Sequence, residues 1–169
     1  MRAFLTLPNI LSLLRIPLAF LFVQGNEPLR VAAIVIAGLT DAFDGFLARR
    51  YGISSRLGTI LDPLTDKLFV MTALVVLIFE NKISYLETAA FLSRDIAVAL
   101  FGAYLVLKGL FGKYRIEAFW CGKIFTTLQL FVLLMLAAAY PVPGWLYVVF
   151  VVLGGLSLIE LRLTLPKQL

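Results

Sequence analysis

The sequence predicts an all-α, polytopic membrane protein: a six-transmembrane-helix bundle with both termini in the cytoplasm. Two observations lead to this fold class. Hydrophobic residues make up 62% of the 169 residues and the mean hydropathy is +0.99. Charged residues make up 15%, against about 25% in soluble domains. A membrane helix needs about 20 mainly apolar residues, so six crossings would use most of the chain, and we expect one membrane domain over residues 1–169.

Six apolar stretches form the predicted spans, in the order 8–24, 30–48, 62–80, 85–107, 117–140 and 144–161. The breaks between them contain charged or turn-forming residues, and they lie at 25–28, 49–58, 80–82, 108–115 and 140–144. These connections are short, as antiparallel neighbours in a bundle require.

The distribution of Lys and Arg sets the orientation, because short cytoplasmic loops collect positive charge. With the N-terminus inside, only Arg30 and Lys82 fall in outer loops. This topology explains the net charge of +5, and without a basic stripe interleaved with aromatic residues we expect no nucleic-acid partner. The single Cys121 and the absence of His exclude an internal disulfide and a soft-metal site. Any bound metal must therefore be held by oxygen.

An aspartate cluster interrupts this apolar chain, and its members are Asp41, Asp44, Asp62 and Asp66. Because a carboxylate at the bilayer centre costs roughly 2.5–3.5 kcal/mol, the cluster needs a cation or a watery cavity. Helical spacing places the first two acids on one face of the second span and the last two on one face of the third. If these faces pack together, the four carboxylates converge. Such hard oxygen ligands suit Mg²⁺ or Mn²⁺, and also Ca²⁺.

The neighbours of the acids suit a phosphate ligand. Gly45 and Ala48 add no bulk, Arg49 can donate two hydrogen bonds to a phosphate, and Gly58 lets the chain turn into the third span. Simpler explanations exist for the parts, namely helix packing through the small residues and ion pairs of the acids with Arg49 or Lys67. The full pattern, D-x2-D-G-x2-A-R-x8-G-x3-D-x3-D, argues against them.

This pattern resembles the signature of the CDP-alcohol phosphatidyltransferase family at every fixed position. The opening 7–12, followed by Arg15-Ile16-Pro17, extends the resemblance to most of the chain. The resemblance implies transfer of a substituted phosphoryl group from a CDP-linked alcohol, usually CDP-diacylglycerol, to an acceptor hydroxyl, with release of CMP. It also implies a homodimer in the bacterial inner (plasma) membrane, in contact with membrane lipids, with the active site facing the cytoplasm.

The same resemblance assigns roles to residues. All four aspartates would bind two Mg²⁺ (or Mn²⁺) ions, and Asp66 would be the catalytic base. The residues that would bind CDP-diacylglycerol are Asn9, Gly45, Ala48, Arg49 and Gly58. The sequence has no obvious Ser–His or Cys–His arrangement, so direct in-line attack is expected rather than a covalent intermediate.

The acceptor is predicted from weaker signals. Arg94, Arg115 and Lys123 suit a phosphate monoester such as glycerol 3-phosphate, although the positive-inside rule alone can explain loop cations. The stretch 122–129 resembles the G-K-x-K-T-x-x-Q of family members that use glycerol 3-phosphate, except for Phe125 in place of the second Lys. Losing this cation from the acceptor pocket weakens the case for glycerol 3-phosphate. Arg94-Asp95 instead resembles the members that make cardiolipin from phosphatidylglycerol, so both Phe125 and Arg94-Asp95 favour that acceptor.

Three alternatives to glycerol 3-phosphate transfer therefore stay open: phosphatidylglycerol as the acceptor, an inositol phosphate as the acceptor, and a cation transporter in which the aspartates bind the transported ion. A transporter predicts acids distributed along a path. It also leaves Gly45, Ala48, Arg49 and Gly58 without a function.

Overall fold

The computed structural model of the chain is all-helical over the residues that it describes, which are 10, 12–51, 58–109 and 120–168. Side chains are described for 10, 12–41, 43, 63–109 and 124–162. Seven helices lie in this part of the chain: α1 Arg15–Gln24, α2 Glu27–Tyr51, α3 Gly58–Phe79, α4 Tyr85–Phe91, α5 Ser93–Leu107, α6 Trp120–Ala137 and α7 Gly144–Gln168. The predicted all-α fold is confirmed for these residues, and each predicted span overlaps at least one of these helices.

One described helix, α7, is long and apolar enough over Gly144–Arg162 to cross a membrane. A second crossing is obtained if α4 and α5 together form one bent span, whereas α1 and Ile124–Ala137 of α6 are shorter apolar helices. Charged residues such as Arg30, Asp41 and Asp66 interrupt the apolar sequence of α2 and α3. The count of six spans and the cytoplasmic location of both termini therefore stay predictions.

The chain forms two compact units, and the first contains α1, α2, α3 and the end of α6 from Leu133. Within this unit α1 packs against both α2 and α3. Its buried side chains recur every three or four residues on each helix, so that each helix turns one face inward. They include Leu18, Ala19 and Phe22 of α1, Ala33, Ile34 and Ala37 of α2, and Phe69, Ala73, Leu74 and Leu77 of α3.

A tight turn reverses the chain between α1 and α2. Gly25 has to be small, because a Cβ at this position would lie 2.7 Å from the Leu21 carbonyl oxygen. Asn26 then caps α2, its side-chain oxygen accepting a hydrogen bond from the Leu29 amide at 3.3 Å. The turn sets α2 antiparallel to α1, which brings late residues of α2 beside the start of α1.

A charged cluster joins the three helices at the end of the unit that holds this turn. Arg30 of α2 makes a bidentate ion pair with Glu80, with Nη–Oε distances of 2.7 and 2.6 Å. Its Nε donates to the Phe22 carbonyl at 3.0 Å, and its guanidinium lies 5.4 Å from the Phe22 ring centroid. The buried Arg30 thus connects the ends of α1, α2 and α3.

The second unit contains α4, α5, α6 up to Val132, and α7. Here α7 packs against both α4 and α5. Three fully buried aromatic rings, those of Phe91, Phe125 and Phe150, form the centre of the unit. The Phe150 ring centroid lies 5.2 Å from the centroids of each of the other two rings. This aromatic cluster supports the N-terminal end of α5, where Arg94 lies.

The span predicted over 85–107 differs from the structure, because the chain is bent by 61° between α4 and α5 at Leu92. Side chains from the same unit stabilise the bend. Gln129 donates to the Phe91 carbonyl at 3.1 Å, and the Ser93 hydroxyl donates to the Phe150 carbonyl at 2.8 Å. These hydrogen bonds satisfy polar groups at the break and explain why an apolar stretch does not form one straight helix.

Candidate active site

Arg15 on α1 joins two of the four motif aspartates. Its Nη2 lies 2.8 Å from Oδ1 of Asp41 on α2, and its Nη1 lies 3.1 Å from Oδ1 of Asp66 on α3. Nη1 also donates to the Thr65 hydroxyl at 3.4 Å. A residue of α1 therefore brings carboxylates from both halves of the aspartate motif to one point.

Helical spacing explains why these side chains meet. Arg15 lies on the face of α1 that also buries Leu18 and Phe22. Asp41 follows the buried Ala37 by four residues on α2, and Asp66 precedes the buried Phe69 by three on α3. Because residues three and four apart share one side of a helix, the inward faces of α1, α2 and α3 carry these charged groups to one end of the unit.

The two carboxylates differ from the arginine in exposure. The Arg15 side chain is 1% exposed, whereas those of Asp41 and Asp66 are 58% and 46% exposed. A buried guanidinium therefore contacts two half-exposed carboxylates, which the protein leaves partly uncovered. Hard, accessible carboxylate oxygens are the donors that Mg²⁺ and Mn²⁺ prefer, so the chemistry of these two residues fits the predicted metal.

The described residues do not test whether the other two motif aspartates bind a metal. The side chains of Asp44 and Asp62 lie outside the described residues. Within the described part of the chain, no three Asp, Glu, Cys or His side chains come together as a metal site. Binding of metal by all four aspartates stays a prediction.

Several other predicted site residues have a described backbone position only. Gly45, Ala48 and Arg49 lie in α2, Gly58 is the first residue of α3, and Lys123 lies near the start of α6. Their side chains lie outside the described residues, as do Asn9 and Arg115 altogether. Their assigned roles stay predictions.

Arg94, predicted to bind the acceptor, lies against the aromatic cluster of the second unit. Its guanidinium carbon is 5.6 Å from the centroid of the Phe125 ring, within reach of a cation–π interaction. Its Nε is buried and has no hydrogen-bond partner among the described residues. The adjacent Asp95 accepts a hydrogen bond from Gln129 at 3.1 Å. Phe125 is fully buried, so its ring supports Arg94 from inside the unit.

Comparison with known proteins identifies the family. A family model described as CDP-alcohol phosphatidyltransferase matches residues 5–157. The chain belongs to this family. It is therefore a transferase, and all eight positions of the signature recognised in the sequence fall within the matched region. Enzymes of the CDP-alcohol phosphatidyltransferase family generally depend on a divalent metal.

The chain is also similar to individual members of the family whose names state an activity. A CDP-diacylglycerol–glycerol-3-phosphate 3-phosphatidyltransferase of Salmonella choleraesuis is 36% identical over 134 residues, covering 73% of this chain and 72% of the relative. The enzyme of the same name from Pectobacterium atrosepticum is 36% identical over 140 residues, covering 77% and 75%. A probable phosphatidylglycerophosphate synthase of Mycobacterium tuberculosis is 32% identical over 168 residues, covering 90% and 75%.

Arg15 is the residue of this phosphatidyltransferase site that the sequence analysis did not assign. In the sequence it stands out only as part of the opening segment Arg15-Ile16-Pro17. A signal was present, because an arginine inside a membrane span needs an acidic partner. The four aspartates were the nearest such partners to consider, yet nothing in the linear sequence indicates which of them Arg15 contacts.

Proposed function

We propose that this chain transfers the phosphatidyl group of CDP-diacylglycerol to a hydroxyl of glycerol 3-phosphate, giving phosphatidylglycerophosphate and CMP. The observation that carries the proposal is the meeting of Asp41 and Asp66 at Arg15, which joins the two halves of the family signature. The relatives from Salmonella and Pectobacterium, whose names state this donor and this acceptor, support the choice of substrates.

The reaction is an in-line displacement at phosphorus, and it needs a base that accepts the proton of the attacking hydroxyl. The acceptor hydroxyl oxygen attacks the phosphatidyl phosphorus, the bond from that phosphorus to the CMP oxygen breaks, and CMP leaves. Asp66 takes the proton of the attacking hydroxyl. Its partial exposure supports this role, because a general base must reach the proton directly or through one water.

Charge on the diphosphate has to be neutralised during this displacement. Asp41, Asp44, Asp62 and Asp66 would hold two Mg²⁺ or Mn²⁺ ions, which in such sites stabilise the attacking and leaving oxygens. We assign Arg49 to the diphosphate as a bidentate donor. The remaining CDP-diacylglycerol contacts are assigned to Asn9, Gly45, Ala48 and Gly58.

The acceptor phosphate is assigned to Arg94, Arg115 and Lys123. Phe125 stands where members that use glycerol 3-phosphate usually have a second Lys, and its side chain is fully buried. A lysine at this position would bury an ammonium among the rings of Phe91 and Phe150, at a cost of several kcal/mol unless it were paired. Phe125 instead supports the guanidinium of Arg94, one of the three cations assigned to the acceptor phosphate.

We further propose that the chain is a single six-span domain of the bacterial inner (plasma) membrane, with both termini and the aspartates on the cytoplasmic side. Helix geometry supports this depth. Asp66 on α3 precedes Glu80, the residue that follows α3, by 14 residues, or about 21 Å along a helix axis. With Glu80 at the outer surface of a hydrocarbon core about 30 Å thick, Asp66 lies in the cytoplasmic half of the core, about 9 Å from its cytoplasmic boundary. We also propose that the chain forms a homodimer.

A comparison of acceptors tests the proposed function. Purified protein in detergent, with CDP-diacylglycerol and Mg²⁺, is assayed for CMP release with glycerol 3-phosphate, phosphatidylglycerol or inositol phosphate. We expect release with glycerol 3-phosphate at least about tenfold above either alternative, because a factor of ten needs only about 1.4 kcal/mol of differential transition-state binding. A preference for phosphatidylglycerol would assign cardiolipin synthesis, and no release with any acceptor would exclude transfer.

A further inference from the structure

Arg15 is placed differently from the charged residues of an ordinary surface ion pair. Its side chain is 1% exposed, and its two terminal nitrogens reach carboxylates on two different helices. A third contact, from Nη1 to the Thr65 hydroxyl, fixes the plane of the guanidinium. The planar fork of an arginine can hold two acceptors in a defined geometry, which the single ammonium of a lysine cannot do.

Two negative carboxylates meet at Arg15, and they need a counter-ion when no metal is bound. Asp41 and Asp66 carry like charges at one point, so they repel each other unless an opposite charge lies beside them. Each carboxylate has one oxygen within 3.1 Å of the guanidinium. The arginine therefore provides an opposite charge whether or not a metal is bound.

We propose that Arg15 is an internal counter-ion that assembles Asp41 and Asp66 before the divalent cation binds. It is a positioning residue, since it acts through the two carboxylates rather than on the substrate. The inference rests on the proposed function in one respect, namely that these two aspartates bind the cation. It adds that Arg15 neutralises the two carboxylates until the cation binds, so that in the absence of Arg15 the cation alone has to neutralise them.

The experiment compares the thermal unfolding of Arg15→Gln with that of the unaltered chain, each in detergent with EDTA and with Mg²⁺. Removing the guanidinium leaves two carboxylates without their counter-ion, and it also removes a positive charge that opposes cation binding. Both effects make Mg²⁺ stabilise the variant more than the unaltered chain, because a ligand stabilises in proportion to the logarithm of its concentration over its dissociation constant.

Arg30→Gln is the matched control. Arg30 is also a buried arginine of the first unit, and it is paired with Glu80 by two short contacts at the charged cluster near the α1–α2 turn. Its loss should lower the unfolding temperature by the same amount with EDTA and with Mg²⁺. The comparison separates a general effect of losing a buried arginine from an effect linked to the cation.

The expected result is a Mg²⁺-induced rise in unfolding temperature that is larger by roughly 5 °C for Arg15→Gln than for the unaltered chain. Arg15→Lys, which keeps the charge but not the fork, should give a rise between the two, and it serves if Arg15→Gln does not fold. A rise no larger than that of the unaltered chain, in either variant, would overturn the proposal.

This readout is independent of catalysis. If the unaltered chain releases no CMP with glycerol 3-phosphate, the proposed function fails, while the unfolding temperatures still decide the role of Arg15. If CMP is released but Mg²⁺ stabilises Arg15→Gln and the unaltered chain equally, the proposed function stands and the counter-ion inference fails.

Discussion

Asp66 and Asp41 both contact Arg15, yet the proposed chemistry gives them different tasks. Asp66 is assigned proton transfer in addition to metal binding, whereas Asp41 is assigned metal binding alone. The structure offers a reason why two carboxylates are kept so close: both are oriented by one guanidinium, at 2.8 and 3.1 Å. Single substitutions can separate the two tasks.

Asp66→Asn should abolish turnover but leave CDP-diacylglycerol binding measurable, because an amide cannot accept the hydroxyl proton. A loss of about 10²–10⁴-fold in turnover is expected for a general base. Asp41→Asn should instead weaken Mg²⁺ and nucleotide binding. Turnover is measured by CMP release and binding by calorimetry in detergent. An equal loss of binding in the two variants would contradict the division of tasks.

Phe125 should affect the acceptor through Arg94. We expect Phe125→Leu to raise KM for glycerol 3-phosphate about threefold to tenfold with little change in kcat, because it removes a cation–π contact of roughly 0.5–1.5 kcal/mol. Steady-state kinetics measure both constants. Phe150→Leu is the control from the same aromatic cluster, and it should lower stability without changing KM. A common change in both variants would indicate general loosening of the unit.

At the residue scale the sequence was informative about acids and less so about their partners. The spacing of the four aspartates predicted which helix faces carry them, because helical periodicity relates residues within one segment. Arg15 lies 26 residues before Asp41 and belongs to a different helix. Its contacts depend on how three helices pack, which linear spacing does not encode.

At the scale of the helices, α5 and α7 approach closely at Gly154. A Cβ at this position would lie 2.6 Å from the Ser93 hydroxyl oxygen and 3.1 Å from the Arg94 backbone nitrogen. The same hydroxyl donates to the Phe150 carbonyl. The small residue on α7 thus allows the hydrogen bond that stabilises the start of α5, where Arg94 lies.

Gly154→Ala should therefore destabilise the protein by about 1–3 kcal/mol through overpacking. Gly155→Ala is the neighbouring control, since no described heavy atom lies within 4 Å of a Cβ at that position. It should be neutral, or stabilising by up to about 1 kcal/mol through the higher helix propensity of alanine. Thermal unfolding in detergent measures both effects. Equal stability of the two variants would contradict the close approach.

The bend at Leu92 marks the limit of prediction for these helices. The stretch 85–107 is largely apolar and predicts one span, and no Gly or Pro marks position 92. One hydrogen bond at the bend joins Phe91 to Gln129, which is 38 residues away in the sequence. The other joins Ser93 to Phe150, which is 57 residues away. The helix ends at 79–85, in contrast, were predictable from local polar residues.

At the scale of the whole molecule, the proposed topology predicts opposite accessibility for two exposed sites. In a Cys121→Ser background, Asn81→Cys should react with a membrane-impermeant maleimide in intact cells, because the loop after α3 is assigned to the outer side. Lys108→Cys, at the end of α5, should react only after the cells are opened. Equal labelling of both cysteines in intact cells would contradict six spans with cytoplasmic termini.

The central claim is that the Asp41–Arg15–Asp66 site transfers phosphatidyl groups to glycerol 3-phosphate. Its most direct measurement is the incorporation of isotopically labelled glycerol 3-phosphate into lipid, by purified protein supplied with CDP-diacylglycerol and Mg²⁺. We predict labelled phosphatidylglycerophosphate and an equal amount of CMP from the unaltered chain, and at least about 100-fold less of both products from Asp66→Asn. Absence of labelled lipid from the unaltered chain, or its undiminished formation by Asp66→Asn, would contradict the account.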